Sequence, residues 1–93
     1  MQVVNKMAKK PLFALGMVMA TPAALDIPGV SEMIPSLLNR HATGDWGKEN
    51  GRVNDWAVEN GERIVSSYKV NGSKVLVITE ADRSVTTILT PGE

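Results

Sequence analysis

Residues 61–91 read GERIVSSYKVNGSKVLVITEADRSVTTILTP, and this stretch decides the fold. Two strand-like runs flank Asn71-Gly72. That dipeptide marks a two-residue type I′ hairpin, whose central positions both need positive φ. Such a loop sets Tyr68 opposite Val75, Ser66 opposite Val77 and Ile64 opposite Thr79. On the other face Val65 meets Ile78 and Arg63 meets Glu80. A second turn, Ala81-Asp82-Arg83-Ser84, opens a third run and brings Glu80 to Val85, Ile78 to Thr87 and Val77 to Ile88. A loop one residue longer, using Ser73, would slip the first register and break the Arg63–Glu80 pairing. Leu76, Ile78, Val85 and Leu89 then share one face, with Tyr68, Val75, Val77 and Ile88 on the other. Both faces are partly apolar. Helices are expected on one, and a loop or a partner subunit over part of the second.

Upstream, Leu12 to Ala20 is an apolar run with almost no polar alternation, which predicts a strand that is central or covered on both faces. Thr21-Pro22 supplies a helix cap and a proline at the first helical position, for about one turn ending near Asp26. Ser31 is the next capping candidate. The helix after it runs from Glu32 to about Ala42, with Met33, Ile34, Leu37, Leu38 and His41 on one apolar face. Pro35 sits in its first turn, Arg40 complements the dipole at its end, and Gly44 is the left-handed stop. A shorter helix, Asn54 to Glu59, is expected to lie over the sheet through Trp56 and to stop at Gly61. The architecture predicted is α+β: an antiparallel sheet of about four strands, including the C-terminal three-strand meander, with two or three helices packed against it. All 93 residues form one domain in this reading, with residues 1–10 frayed.

Composition narrows the chemistry. The chain has no cysteine and one histidine, so it offers neither a thiolate nor a multi-histidine metal site, and no cofactor or metal is expected. Ten basic residues balance ten acidic ones. Nucleic-acid binding therefore has no support from net charge and would need a local patch. Lys6, Lys9 and Lys10 before Pro11–Ala20, with Val18-Met19-Ala20 after them, imitate a secretory signal. Cleavage would leave roughly 70 residues, near the limit of independent stability, so the cytoplasmic reading is preferred. The run is too short to span a membrane, and no membrane association is expected.

Three clusters are candidates for function: the charges at the strand ends, His41 beside the Gly44–Gly47 turn where Asp45 could orient it, and the Trp46 turn with its polar neighbours. Arg63, Glu80, Asp82 and Arg83 gather at one end of the predicted sheet, where two guanidinium groups and two carboxylates could bind phosphate and supply a general base. Joined by His41, the sole imidazole, they make the catalytic set His41, Arg63, Glu80 and Arg83 of a metal-independent ribonuclease of the barnase or RelE type. The plainer reading is a cross-strand ion pair and a solvated turn in which Asp82 caps its own backbone, with His41 answering a helix dipole. In the third cluster, Trp46 lies in a glycine-flanked turn with Asp45, Lys48 and Arg52 close by in sequence, a combination suited to anchoring a partner. Trp56, at helical spacing with Val53, is expected to close the core.

From His41 onward the chain resembles a small group of bacterial proteins described only as plasmid-related or hypothetical. The matching strings are His41-Ala42-Thr43-Gly44-Asp45-Trp46-Gly47, Asn54, Gly61 to Tyr68 and Ile78 to Leu89, together with Ala20-Thr21-Pro22-Ala23-Ala24-Leu25. The tails of those proteins usually run Leu-Pro-Glu-Glu-Tyr, where this chain has Thr90-Pro91-Gly92-Glu93. The resemblance implies a cytoplasmic protein of a bacterial mobile element and carries no activity to transfer. The leading expectation is a non-enzymatic interaction module that binds a protein partner or self-associates. The ribonuclease is the alternative.

Overall fold

The computed structural model describes residues 10–47, 49 and 51–93. Its elements are β1 (Met17–Ala20), α1 (Pro22–Leu25), α2 (Val30–Ala42), α3 (Gly51–Asn60), β2 (Ile64–Val70), β3 (Ser73–Thr79) and β4 (Val85–Leu89). They form the α+β fold anticipated, with one four-stranded sheet in the order β1-β4-β3-β2 and three helices. Residues 1–9, and with them the expectation of a frayed start, lie outside the described residues, as does Lys48.

The meander follows the pairing that the turns dictate. Asn71 and Gly72 both take positive φ, 50° and 82°, as a type I′ loop demands. Tyr68 faces Val75, Ser66 faces Val77, Val65 faces Ile78 and Ile64 faces Thr79. Across the next ladder Ile78 faces Thr87 and Val77 faces Ile88. The Asn71 side-chain amide also donates to the Pro28 carbonyl, so the hairpin tip is tied to the loop before α2.

The N-terminal strand differs from expectation. Only Met17–Ala20 is extended in the sheet, and it lies at the sheet's edge, parallel to β4, rather than centrally. Gly16 takes φ 67° where the chain passes over the Arg83–Ser84 backbone; a Cβ there would sit 2.4 Å from the Ser84 carbonyl oxygen. That close crossing turns Leu12–Leu15 away from the sheet. Helix α2 begins at Val30 rather than after Ser31, with Gly29 in the left-handed region at its cap position and no side-chain cap. Helix α3 is longer than its apolar spacing suggested. Thr21 caps α1 as expected, accepting from the Ala24 amide.

The core lies on one face of the sheet. Ala24, Val30 and Leu37 from the helices pack with Tyr68, Val70, Val75, Val77 and Ile88, and a second cluster joins Trp46, Ala57 and Ile64 to Phe13 and Val58. Every strand residue in both clusters belongs to the Tyr68–Val75–Val77 face. Burying it removes the aliphatic side chains from water at about 25 cal/mol per Å², the main stabilising term.

Candidate functional site

The charged residues at the strand ends do not converge with the histidine. Arg63 Nε donates to Glu80 Oε1 at 3.3 Å; the Arg63 side chain is largely exposed and that of Glu80 half-buried. This is the cross-strand partnership that the register calls for, of a kind worth well under 1 kcal/mol. Strand alternation puts it on the Val65–Ile78 face. His41, on α2, is fully buried against the opposite face, where Ser66 and Thr79 reach it. The sheet therefore separates the sole imidazole from the Arg63–Glu80 pair.

Arg83 is occupied structurally. Its Nη1 donates to the Glu62 carbonyl at 2.6 Å and more weakly to that of Glu80, and Nη2 donates to the Ala57 carbonyl at 3.1 Å. The guanidinium also stands 5.5 Å from the centre of the Phe13 ring. It thus ties the end of α3, the β3–β4 turn and the N-terminal segment together, adding a second donor to the Ala57 carbonyl in the last turn of α3, which also accepts from the Glu62 amide. Asp82 accepts from the Ser84 hydroxyl and amide, which hold its carboxyl below the usual range. It is a turn cap.

His41 belongs to a buried relay whose hydrogens can be placed one by one. Thr86 Oγ1 donates to the Leu15 carbonyl at 2.7 Å and so spends its only proton. Thr79 Oγ1, 2.6 Å away, must then donate to Thr86. With its own proton used, Thr79 accepts from His41 Nε2 at 2.9 Å. That leaves His41 Nδ1 as an acceptor for the Ser66 hydroxyl at 2.6 Å. The direction is Ser66 to His41 to Thr79 to Thr86 to Leu15, and it specifies the neutral Nε2–H tautomer. Burial opposes the charged form and pushes the His41 pKa down to about 4. Phe13 and Trp46 meet the imidazole edge-on at 5.2 and 6.0 Å between ring centres. These partners of His41 were not singled out in the sequence; the one signal that could have found them is the parity that Ser66, Thr79 and Thr86 share on the core face.

The two tryptophans exchange the roles expected of them. Trp46, proposed as a partner anchor, is 6 % exposed and stacks on Phe13; Trp56, expected to close the core, is 56 % exposed. The cause is Gly47. Its φ of 71° lets the Trp46–Gly47 backbone bridge to Ser67 on the free edge of β2, with the Ser67 amide donating to the Trp46 carbonyl at 3.0 Å. That contact turns the indole inward. Asn54 completes the edge: its side-chain amide donates to the Val65 carbonyl at 2.8 Å and its oxygen accepts from the Val65 amide, like a single residue of a neighbouring strand. Of the remaining members proposed for that partner site, Arg52 is exposed on α3 and Lys48 lies outside the described residues.

Asp45 is held by Arg40 through two hydrogen bonds, of 2.7 and 3.2 Å, and that carboxylate holds the guanidinium above its ordinary pKa. Arg40 also lies 4.5 Å over the Tyr68 ring. The Tyr68 hydroxyl donates to the Asp45 carbonyl, and burial raises its pKa to about 12. With Gly47, Ser67 and Lys69 these residues line a shallow groove of about 320 Å³. Within this groove the Arg40 charge is paired with Asp45. Among the described residues, no three His, Asp or Glu side chains stand where they could hold a metal.

The largest unassigned feature is the second sheet face. Met17 and Met19 of β1, Val85, Thr87 and Leu89 of β4, Leu76 and Ile78 of β3, and Val65 of β2 all point to it by the strand register. None belongs to either core cluster. Met17 is 67 % and Met19 53 % exposed. Lys69 and Lys74 stand directly opposite each other at its hairpin end, and Glu80 with Arg63 marks the other end. Among the described residues no helix is long and apolar enough to cross a membrane. The chain matches no family model, no curated protein and no solved structure.

Proposed function

We propose that the chain is a small non-enzymatic interaction module, working in the cytoplasm and, on the resemblance of its motifs, belonging to a bacterial mobile element. Its working surface is the open sheet face rather than the Trp46 loop. The observation that carries this reading is that face: a largely apolar surface of Met17, Met19, Leu76, Ile78, Val85 and Leu89 around Thr87 that no core cluster includes. Exposed apolar patches beyond a few hundred Å² mark interaction sites in soluble domains, and methionines suit such surfaces because they repack at little cost. Against the ribonuclease alternative stand the burial of His41 and the engagement of Arg83 by backbone carbonyls.

The test is face-dependent capture. Immobilised wild type and a Met17→Lys/Met19→Lys variant are compared for retained proteins, with circular dichroism as a control for folding. Both methionines are already more than half exposed, so the fold is expected to survive the change. Retention lost in the variant supports the reading. Equal retention by both proteins refutes it.

A further inference from the structure

We infer that residues 12–16 form a strap over the core that lifts, with Gly16 as its hinge, when His41 takes up a proton, so that the chain opens locally in acid before it unfolds. Residues 12–15 are neither helix nor strand, and only Phe13 and Leu15 among them are half-buried. Two hydrogen bonds fasten the segment: the Leu12 amide donates to the Ala42 carbonyl at 2.8 Å, and the Leu15 carbonyl accepts from Thr86 Oγ1 at 2.7 Å. Phe13 supplies its aromatic contact with the core, stacked on Trp46 at 6.2 Å and edge-on to His41 at 5.2 Å between ring centres. Gly16 is left-handed, and from the next residue the chain is held in the sheet, the Met17 amide donating to the Ser84 carbonyl at 3.0 Å. Lifting the strap therefore breaks two hydrogen bonds and withdraws one aromatic ring, while every strand pair stays intact. Segments with so few buried contacts open at lower free energy than core strands.

The strap and the histidine are joined twice. Phe13 touches the imidazole, and the Leu15 carbonyl is the acceptor that ends the relay and so fixes its direction. A second proton on the ring, at Nδ1, leaves the Ser66 hydroxyl without its acceptor. Both ring nitrogens face hydroxyls, and no carboxylate bonds to either. The strands β3 and β4 present only Thr79 and Thr86 to this relay. The charged and titratable groups around it are Arg40 of α2, paired with Asp45, and Tyr68 of β2, whose hydroxyl donates to the Asp45 carbonyl. From the β3–β4 turn, Arg83 stands 5.5 Å from the centre of the Phe13 ring and adds positive charge. The closed strap thus favours the neutral ring, which burial holds at a pKa of about 4, and an opening that admits water returns it toward the ordinary 6.5. Linkage between those two values favours the open form about 30-fold more at pH 5 than at pH 7.5.

Amide hydrogen exchange of the full chain by NMR, expressed as protection relative to the unfolded rate, reads the opening at pH 7.5 and pH 5.0. The Leu12 amide reports the strap, and that of the buried Val77, whose strand is paired on both sides, reports the sheet. Leu12 is expected to be less protected than Val77 at both pH values, with exchange insensitive to low urea because a local opening exposes little surface. Its protection should fall about 30-fold from pH 7.5 to 5.0 in the wild type and hold constant in His41→Gln. Phe13→Leu keeps the site apolar and should weaken Leu12 protection about three- to tenfold at pH 7.5, with Val77 unmoved. Should His41→Gln not fold, the wild-type pH series and Phe13→Leu decide the outcome. Leu12 exchanging with the urea dependence of Val77 overturns the inference, since the strap then opens only with the whole fold. A separate Leu12 opening that does not respond to pH, or that responds equally in His41→Gln, overturns it as well, because the proton then acts elsewhere.

Discussion

Lowering the pH from 7.5 to 5 should destabilise this fold chiefly through His41. The imidazole is buried, and its two nitrogens are committed to Ser66 and Thr79 in a relay that ends on the Leu15 carbonyl. Its pKa falls from the ordinary 6.5 to about 4 because burial penalises the cation. The unfolded chain therefore binds a proton between these values that the folded chain refuses. Stability is complete above about pH 6.5, falls as pH drops toward about 4, and loses nothing further from this group below that. Integrating the linkage gives a loss of about 2 kcal/mol at pH 5 and a limit of about 3 kcal/mol. Against the 5–15 kcal/mol typical of a domain, that is a large fraction. No other side-chain type ordinarily titrates in this window. Urea unfolding at pH 7.5, 6.5, 5.5 and 5.0 should show the midpoint falling by about 1–2 M. Proton NMR of the imidazole should show His41 still neutral at pH 5. The variant His41→Gln should be less stable at pH 7.5 yet nearly flat over the same range. A midpoint that does not move, or an imidazole that titrates near 6.5, would refute both the burial argument and the assignment of the relay.

Gly47→Ala should be among the most damaging single changes in the chain, because the added Cβ would fall 1.9 Å from the Ser67 carbonyl oxygen and the backbone there is left-handed. A loss of about 3 kcal/mol or more in urea unfolding is expected, against about 1 kcal/mol or less for Gly72→Ala, whose Cβ meets nothing within 4 Å and which carries only the conformational cost. The tryptophans give an optical check: Trp46→Ala should cost about 3–5 kcal/mol and remove the blue-shifted emission, while Trp56→Ala should be near neutral and remove the iodide-quenchable part.

The meander was legible because its determinants are local. Asn71-Gly72 selects one turn type, the turn sets the register, and alternation assigns each residue a face, so Arg63 and Glu80 could be paired without coordinates. The same logic identified the apolar second face and the need for something to cover it. The helices were legible in place and approximate in length, since capping and apolar spacing are also short-range.

The candidate sites were not legible in the same way. Whether Trp46 or Trp56 faces the core depends on the Gly47–Ser67 bridge, a contact between segments twenty residues apart that no periodicity encodes. Which side of the sheet holds His41 depends on how α2 docks, and that placement separates it from Arg63 and Glu80 while joining it to Ser66, Thr79 and Thr86. The edge position of β1 follows from the Gly16 crossing over the Arg83–Ser84 backbone, although its composition read as central. Sequence by itself determined the α+β class, the meander and its two faces, because turn geometry and side-chain alternation act within a few residues. Tertiary structure decided which face is buried, which charges meet and which aromatic is exposed, because those depend on distant segments competing for one core.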